Sequence, residues 1–252
     1  MSKLARIFIV FLMVFSLPVS SAFANGYHNH GKDSLVALGD SIPFGLSPHR
    51  DNDRPANYAF PYLIGDKADV RVHNLGIPGL QTDDLLGALE TNKKFRQTVR
   101  QAEFVTVTIG GNDFLEILNK AKAESRGNSK LFHQLLAKKL ASSDVFDDLR
   151  EIIHELRSLS DGEIVLYNVY NPFQVKDPLH RVADQYLPEI NEEYEELADD
   201  FRDVELTDAY KAFGNNQEKF VIRGDIHPTK AGHVKLAKIG FRAFERDYTH
   251  HH

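Results

Sequence analysis

The feature that most constrains this chain is the alternation of two hydrophobic periods along it. Short apolar runs recur at residues 35–38 (LVAL), 70–75 (VRVHNL), 104–109 (FVTVTI) and 164–169 (IVLYNV), with a weaker fifth at 204–206. Runs of this length, rich in β-branched side chains, read as strands. Helical stretches lie between them, at residues 83–90 with Thr82 as candidate N-cap, 131–159, 190–201 and 229–244. Ser142-Ser143-Asp144 divides the second stretch into two helices, and Pro228 stands at the entrance of the last. Strands alternating with helices predict an α/β chain whose parallel sheet is covered on both faces. No Pro/Gly/Ser-rich linker and no internal repeat interrupts the pattern, so it predicts one domain over residues 35–247.

Composition narrows the chemistry. The 252 residues include no cysteine, which excludes a disulfide framework, thiolate metal sites and a cysteine nucleophile. Lys and Arg total 30 against 36 Asp and Glu, with no basic block, so a nucleic-acid partner is not expected. Residues 1–24 have the form of a secretory signal peptide: Lys3 and Arg6, the apolar run 7–14 (IFIVFLMV), and Ala22-x-Ala24 at the end. That run is too short to span a bilayer, which needs about 20 residues. The expected mature protein starts at Asn25, is secreted and carries no membrane span. Residues 25–34, with His28 and His30, read as a flexible polar lead-in, and residues 248–252 as a tail of no assigned function.

In open parallel sheets the functional groups gather at the carboxyl ends of the strands. The first strand runs into Gly39-Asp40-Ser41-Ile42, and the second ends at Asn74-Leu75-Gly76-Ile77-Pro78-Gly79. The third ends at Gly110-Gly111-Asn112-Asp113, and Gly224-Asp225-Ile226-His227-Pro228 precedes the last helix. Each block alone reads as a turn or a helix cap. Together they supply a complementary set. A serine hydroxyl needs a base, histidine is the usual one, and a third group often orients the imidazole. Ser41, His227 and a nearby carboxylate fill these roles, while the Ser41 and Gly76 N–H groups and the Asn112 amide are candidate oxyanion donors. Glycine at 76 would let the backbone approach substrate closely.

These four blocks resemble those of the GDSL, or SGNH, hydrolase superfamily, over residues 35 to about 240. The resemblance implies a flavodoxin-like three-layer α/β/α sandwich and ester hydrolysis without metal or cofactor. It also implies Ser41 as nucleophile, His227 as base, and Gly76 and Asn112 as oxyanion donors. One position departs: the family's aspartate stands three residues before the histidine, where this chain has Gly224 and places Asp225 two before. Asp225 could still orient His227, a backbone carbonyl could do so instead, or the orienting group could be lost.

Other groups take structural readings. Asp40 fixes its turn, Asp113 caps a helix starting at Phe114, and Glu192, Glu193, Glu195 and Glu196 form a solvated face. His233, six residues after His227, is the other histidine worth testing as base. No G-x-S-x-G, G-x-G-x-x-G, P-loop or H-E-x-x-H occurs. The expected activity is that of an exported serine esterase or lipase acting on a small-molecule or lipid ester. Ile42, Pro43, Phe44 and Leu46 are candidates to line an acyl pocket, faced by Ile77, Pro78 and Leu80. The alternatives are a carbohydrate deacetylase, which a groove of Tyr and acidic residues would favour, and a non-catalytic binding module.

Overall fold

The computed structural model describes residues 33–48 and 52–250. The expected signal peptide, His28 and His30 lie outside them. Five strands, β1 (Ser34–Gly39), β2 (Arg71–Asn74), β3 (Phe104–Thr108), β4 (Glu163–Tyr167) and β5 (Val204–Thr207), form one all-parallel sheet in the order β2-β1-β3-β4-β5. Each of the five expected strands is there. The chain winds outward from β1 to β2 and then crosses back to β3. The switch in winding opens a crevice at the carboxyl ends of β1 and β3, where such sheets bind ligands.

Side-chain alternation builds a core on each face of the sheet. Val36, Leu38, Ile164 and Leu166 point into the larger core, and Leu35, Val165 and Tyr167 into the smaller. The larger core is closed by α3 (Thr82–Thr91), α4 (Lys93–Val99), α5 (Gly111–Ser125), α7 (Val145–Leu159) and α8 (Pro178–Asp199). The smaller is closed by α2 (Phe60–Ala68), α9 (Ala209–Phe213) and α11 (Lys230–His250). The short helices α1 (Ser41–Phe44) and α10 (Gln217–Phe220) serve as turns, and α6 (Ser129–Ala141) forms a hairpin with α5. No helix among the described residues is long and apolar enough to cross a membrane.

Several expectations need correction. The N-cap of α3 is Gln81, with Thr82 already helical. The acidic helix begins at Pro178, twelve residues before the expected start, and continues through Pro188. Pro188 lacks the N–H that a helix interior uses. It faces solvent, while Leu187, Ile190, Tyr194 and Leu197 pack into the core and hold the helix together. At the ends, β1 starts inside the expected lead-in and α11 extends into the expected tail. The α6/α7 break stands at 142–144 as expected.

The joint between α2 and α11 depends on a neutral histidine. α2 has Ala59 at its N-cap and no side-chain cap, so the Phe60 N–H donates instead to His233 Nδ1, at 3.4 Å. His233 is fully buried, and burial pushes its pKa down to about 3. Since the unfolded value is near 6.5, the unfolded chain binds more protons than the folded one between those two pH values. The His233 contribution to stability is therefore complete above about pH 6.5 and is lost as pH falls from there toward 3. Asp40, raised to about 7 by burial, acts in the opposite sense between its ordinary value and 7. A His233→Asn protein keeps an acceptor for Phe60. Relative to its own stability at pH 7, it should be less acid-sensitive at pH 5 by about 2 kcal/mol. Urea denaturation of both proteins at the two pH values checks this; equal acid slopes would contradict it.

Candidate active site

β1 delivers the chain into α1 with Ser41 as its first residue. Asp40 is the N-cap, and its Oδ1 accepts from the Ile42 N–H at 2.8 Å, the turn-fixing role expected of it. As first residue of a helix, Ser41 has an N–H without a partner inside that helix. Its side chain is 4% exposed. Burial pushes the Asp40 carboxyl up to about 7, with the Asp113 charge adding to the shift. A neutral carboxyl here removes a buried negative charge from beside Ser41.

His227 reaches Ser41 from the opposite side of the crevice. Its Nε2 lies 2.9 Å from Ser41 Oγ, and its Nδ1 lies 2.5 Å from Asp225 Oδ1. The same Asp225 oxygen accepts the backbone N–H of His227 at 2.8 Å. Asp225, two residues before the histidine, is thus the group in contact with the imidazole nitrogen that faces away from Ser41. The loop explains how. The Asp225 N–H donates to the Ile222 carbonyl at 3.1 Å, closing a four-residue turn whose third position is Gly224, with φ of +77°. That position of a type II turn requires positive φ and favours glycine. The turn swings the Asp225 carboxylate back over its own chain onto the imidazole. Tyr170 secures the loop from β4's side by donating to the Ile226 carbonyl at 2.7 Å.

The donors are less uniform. Asn112, in the first turn of α5, donates one amide hydrogen to the Leu80 carbonyl at 2.8 Å and lines the cavity beside Ser41. An amide NH2 has two hydrogens, so the second is available to substrate. The Gly76 N–H instead donates to Asn74 Oδ1 at 3.0 Å, while Asn74 Nδ2 donates to the Pro43 carbonyl at 2.6 Å. Packing against the neighbouring turn also calls for glycine at 76. A Cβ there would lie 2.9 Å from Phe44 N and 3.0 Å from Asp40 O. That close approach is to the Ser41 turn.

The other readings sort as follows. Asp113 does not cap its own helix; its Oδ1 accepts from Thr82 N at 3.2 Å and Thr82 Oγ1 at 2.8 Å, joining α5 to the start of α3. His233 is occupied at the α2 joint, which leaves His227 as the histidine on Ser41. The four glutamates of α8 are exposed. Beside Ser41 lies a cavity of about 120 Å³ that opens to solvent. Of the residues expected to line it, only Ile42 does; Pro43 and Phe44 are buried elsewhere, and Ile77 is 42% exposed. Its walls come instead from α5, α6 and α8, including Phe114, Leu118, Leu136, Ala183 and Leu187. Leu136, Ala183 and Leu187 are far from the four blocks in sequence, while Phe114 and Leu118 follow the third block on α5.

Comparison with known proteins agrees with this fold. A family model described as GDSL-like lipase/acylhydrolase matches residues 37–235. An uncharacterised Bacillus subtilis (strain 168) protein, YpmR, is 25% identical over 220 residues, covering 84% of this chain and 82% of its own length. Phospholipase A1 from Streptomyces albidoflavus NA297 superposes with a TM-score of 0.68 at 18% identity, over 84% of this chain and all of its own. A catalytic mutant of an acetylxylan esterase from Geobacillus stearothermophilus gives 0.56 at 22% identity, over 84% of this chain and 94% of its own. At such identities the structural likeness speaks for the fold.

Proposed function

Since the chain belongs to the GDSL-like lipase/acylhydrolase family, we propose that it is an exported serine hydrolase of carboxylic esters. The observation that carries the reading is the continuous Asp225–His227–Ser41 chain, with contacts of 2.5 and 2.9 Å, at the mouth of an apolar cavity. Ser41 Oγ attacks the ester carbonyl carbon while its proton passes to His227 Nε2. Asp225 holds the imidazole with Nδ1–H facing the carboxylate and stabilises the imidazolium as it forms. The tetrahedral intermediate places its negative oxygen against the Ser41 N–H and the free hydrogen of Asn112. Gly76 joins them when Asn74 Oδ1 gives up its N–H. The C–O bond then breaks, His227 returns the proton to the departing alkoxide, and an alcohol leaves. Water attacks the acyl-enzyme, giving a proton to His227; the acid departs and Ser41 recovers its hydrogen. Export rests on residues 1–24, and recovery of a secreted protein beginning at Asn25 tests it.

Hydrolysis of p-nitrophenyl butyrate by the purified chain tests the reading, and Asn112 tests its electrostatics. Asn112→Ala should lower kcat by about 10²–10³ with little change in KM, because the amide acts mainly on the transition state. A change confined to KM would make Asn112 a substrate-binding group and remove it from the oxyanion site.

A further inference from the structure

We propose that the cavity beside Ser41 is a measuring pocket for a linear acyl chain of medium length, laid between α5 and α8 and ended by Leu118, Leu136 and Ala183. This rests on the ester-hydrolase reading and adds its substrate class. The lining on α5 runs from Gly111 to Leu118, and that on α8 from Val182 to Ile190. At 1.5 Å per residue these stretches are about 10–12 Å long, the reach of an extended acyl chain of about eight to ten carbons.

Direction comes from two anchors. Asn112 starts α5 beside Ser41, so Leu118 stands well over a turn farther out. Tyr194 ties the later part of α8 to the end of β3 by donating to the Ile109 carbonyl at 2.7 Å, so Ala183, three turns earlier, lies outward of that anchor, beside Asp184, which accepts from Asn171 and Tyr210. Over that outer end lies α6, whose one fully buried residue, Leu136, lines the cavity. His133 Nδ1 and the Tyr186 hydroxyl, 3.1 Å apart, join α6 to α8 there.

Polarity is graded along the same axis. The polar lining residues Asp40, Ser41, Thr108, Asn112 and Asn168 come from the strand ends. The outer part is Leu, Val and Ala, and its tyrosine, Tyr186, already has its hydroxyl on His133. A sugar hydroxyl carried to that depth would be buried without a partner, at a cost that a methylene chain avoids.

The test is kcat/KM for p-nitrophenyl esters from acetate to palmitate, with the full chain and two variants. For the wild type, kcat/KM should rise about two- to fourfold per added methylene and stop rising near octanoate or decanoate. Ala183→Phe fills the outer end: it should lower decanoate turnover about 30-fold or more, move the optimum to butyrate or hexanoate, and leave acetate within about twofold. Leu136→Ala opens the end and should move the optimum to longer chains by about two carbons. Retained acetate turnover shows that each variant is folded; if one loses it, the shift of the other decides. A wild-type profile flat from acetate to decanoate, or variants that change acetate and decanoate alike, overturns the measuring pocket and leaves the ester-hydrolase reading standing. Failure to turn over any member overturns both.

Discussion

Ser41→Ala should lower kcat for p-nitrophenyl butyrate to near background, a loss of roughly 10⁶ where nucleophile and base act as a unit. Ser41 is two residues past the end of β1, with Oγ 2.9 Å from His227 Nε2. Only the hydroxyl is removed, and Asp40 still caps α1, so the folded state should keep its melting temperature within a few degrees. His227→Ala should be as severe, and the double variant should cost little more than either alone. Independent, multiplying losses in the double variant would show that the two side chains do not act together.

Asp225 should give the second largest effect, and its two substitutions should differ. Asp225→Ala removes both the charge and the acceptor, and kcat should fall about 10⁴-fold. Asp225→Asn should cost only about 10²-fold. One oxygen of Asp225 accepts both the His227 backbone N–H and the Nδ1–H. Two donors at one point select the carbonyl oxygen of an asparagine over its NH2, so the imidazole keeps the productive tautomer and loses only the ionic contribution. Equal losses in the two variants would mean that the amide turns and the tautomer inverts. A near-normal rate in Asp225→Ala would remove Asp225 from the mechanism.

What the sequence revealed divides along the same lines as the physics. The strands were legible because their signals are local: apolar β-branched runs ending in Gly, Asp or Asn. Ser41, Gly76 and Asn112 were legible because they follow strand ends, where the chain must turn, and Asp225 and His227 because they stand in a Gly/Asp/Pro turn before the last helix. The role of Gly224 was not, because residue spacing does not reveal a turn's φ, and a turn decides whether a carboxylate two residues away can reach the imidazole. α2 and α4 were missed because they are short and only weakly periodic; the start of α2 is capped from α11, by a residue 173 positions away. The lining of the cavity beside Ser41 was not legible, apart from Ile42, because its walls come from helices remote from the nucleophile in sequence. Asp113 was read only as a cap of its own helix; its bonds to Thr82, at the start of α3, join two helices that sequence alone does not link.

The central claim is that Ser41 is the nucleophile of a charge-assisted Asp225–His227–Ser41 unit. Its most direct test is reaction of the full chain with a fluorophosphonate, followed by peptide mass spectrometry. The account predicts one stoichiometric adduct, carried on Ser41 and reduced at least about 100-fold in formation rate by His227→Ala, because the hydroxyl is activated only by that base. A folded protein that takes no adduct, or takes it on another residue, would contradict the account.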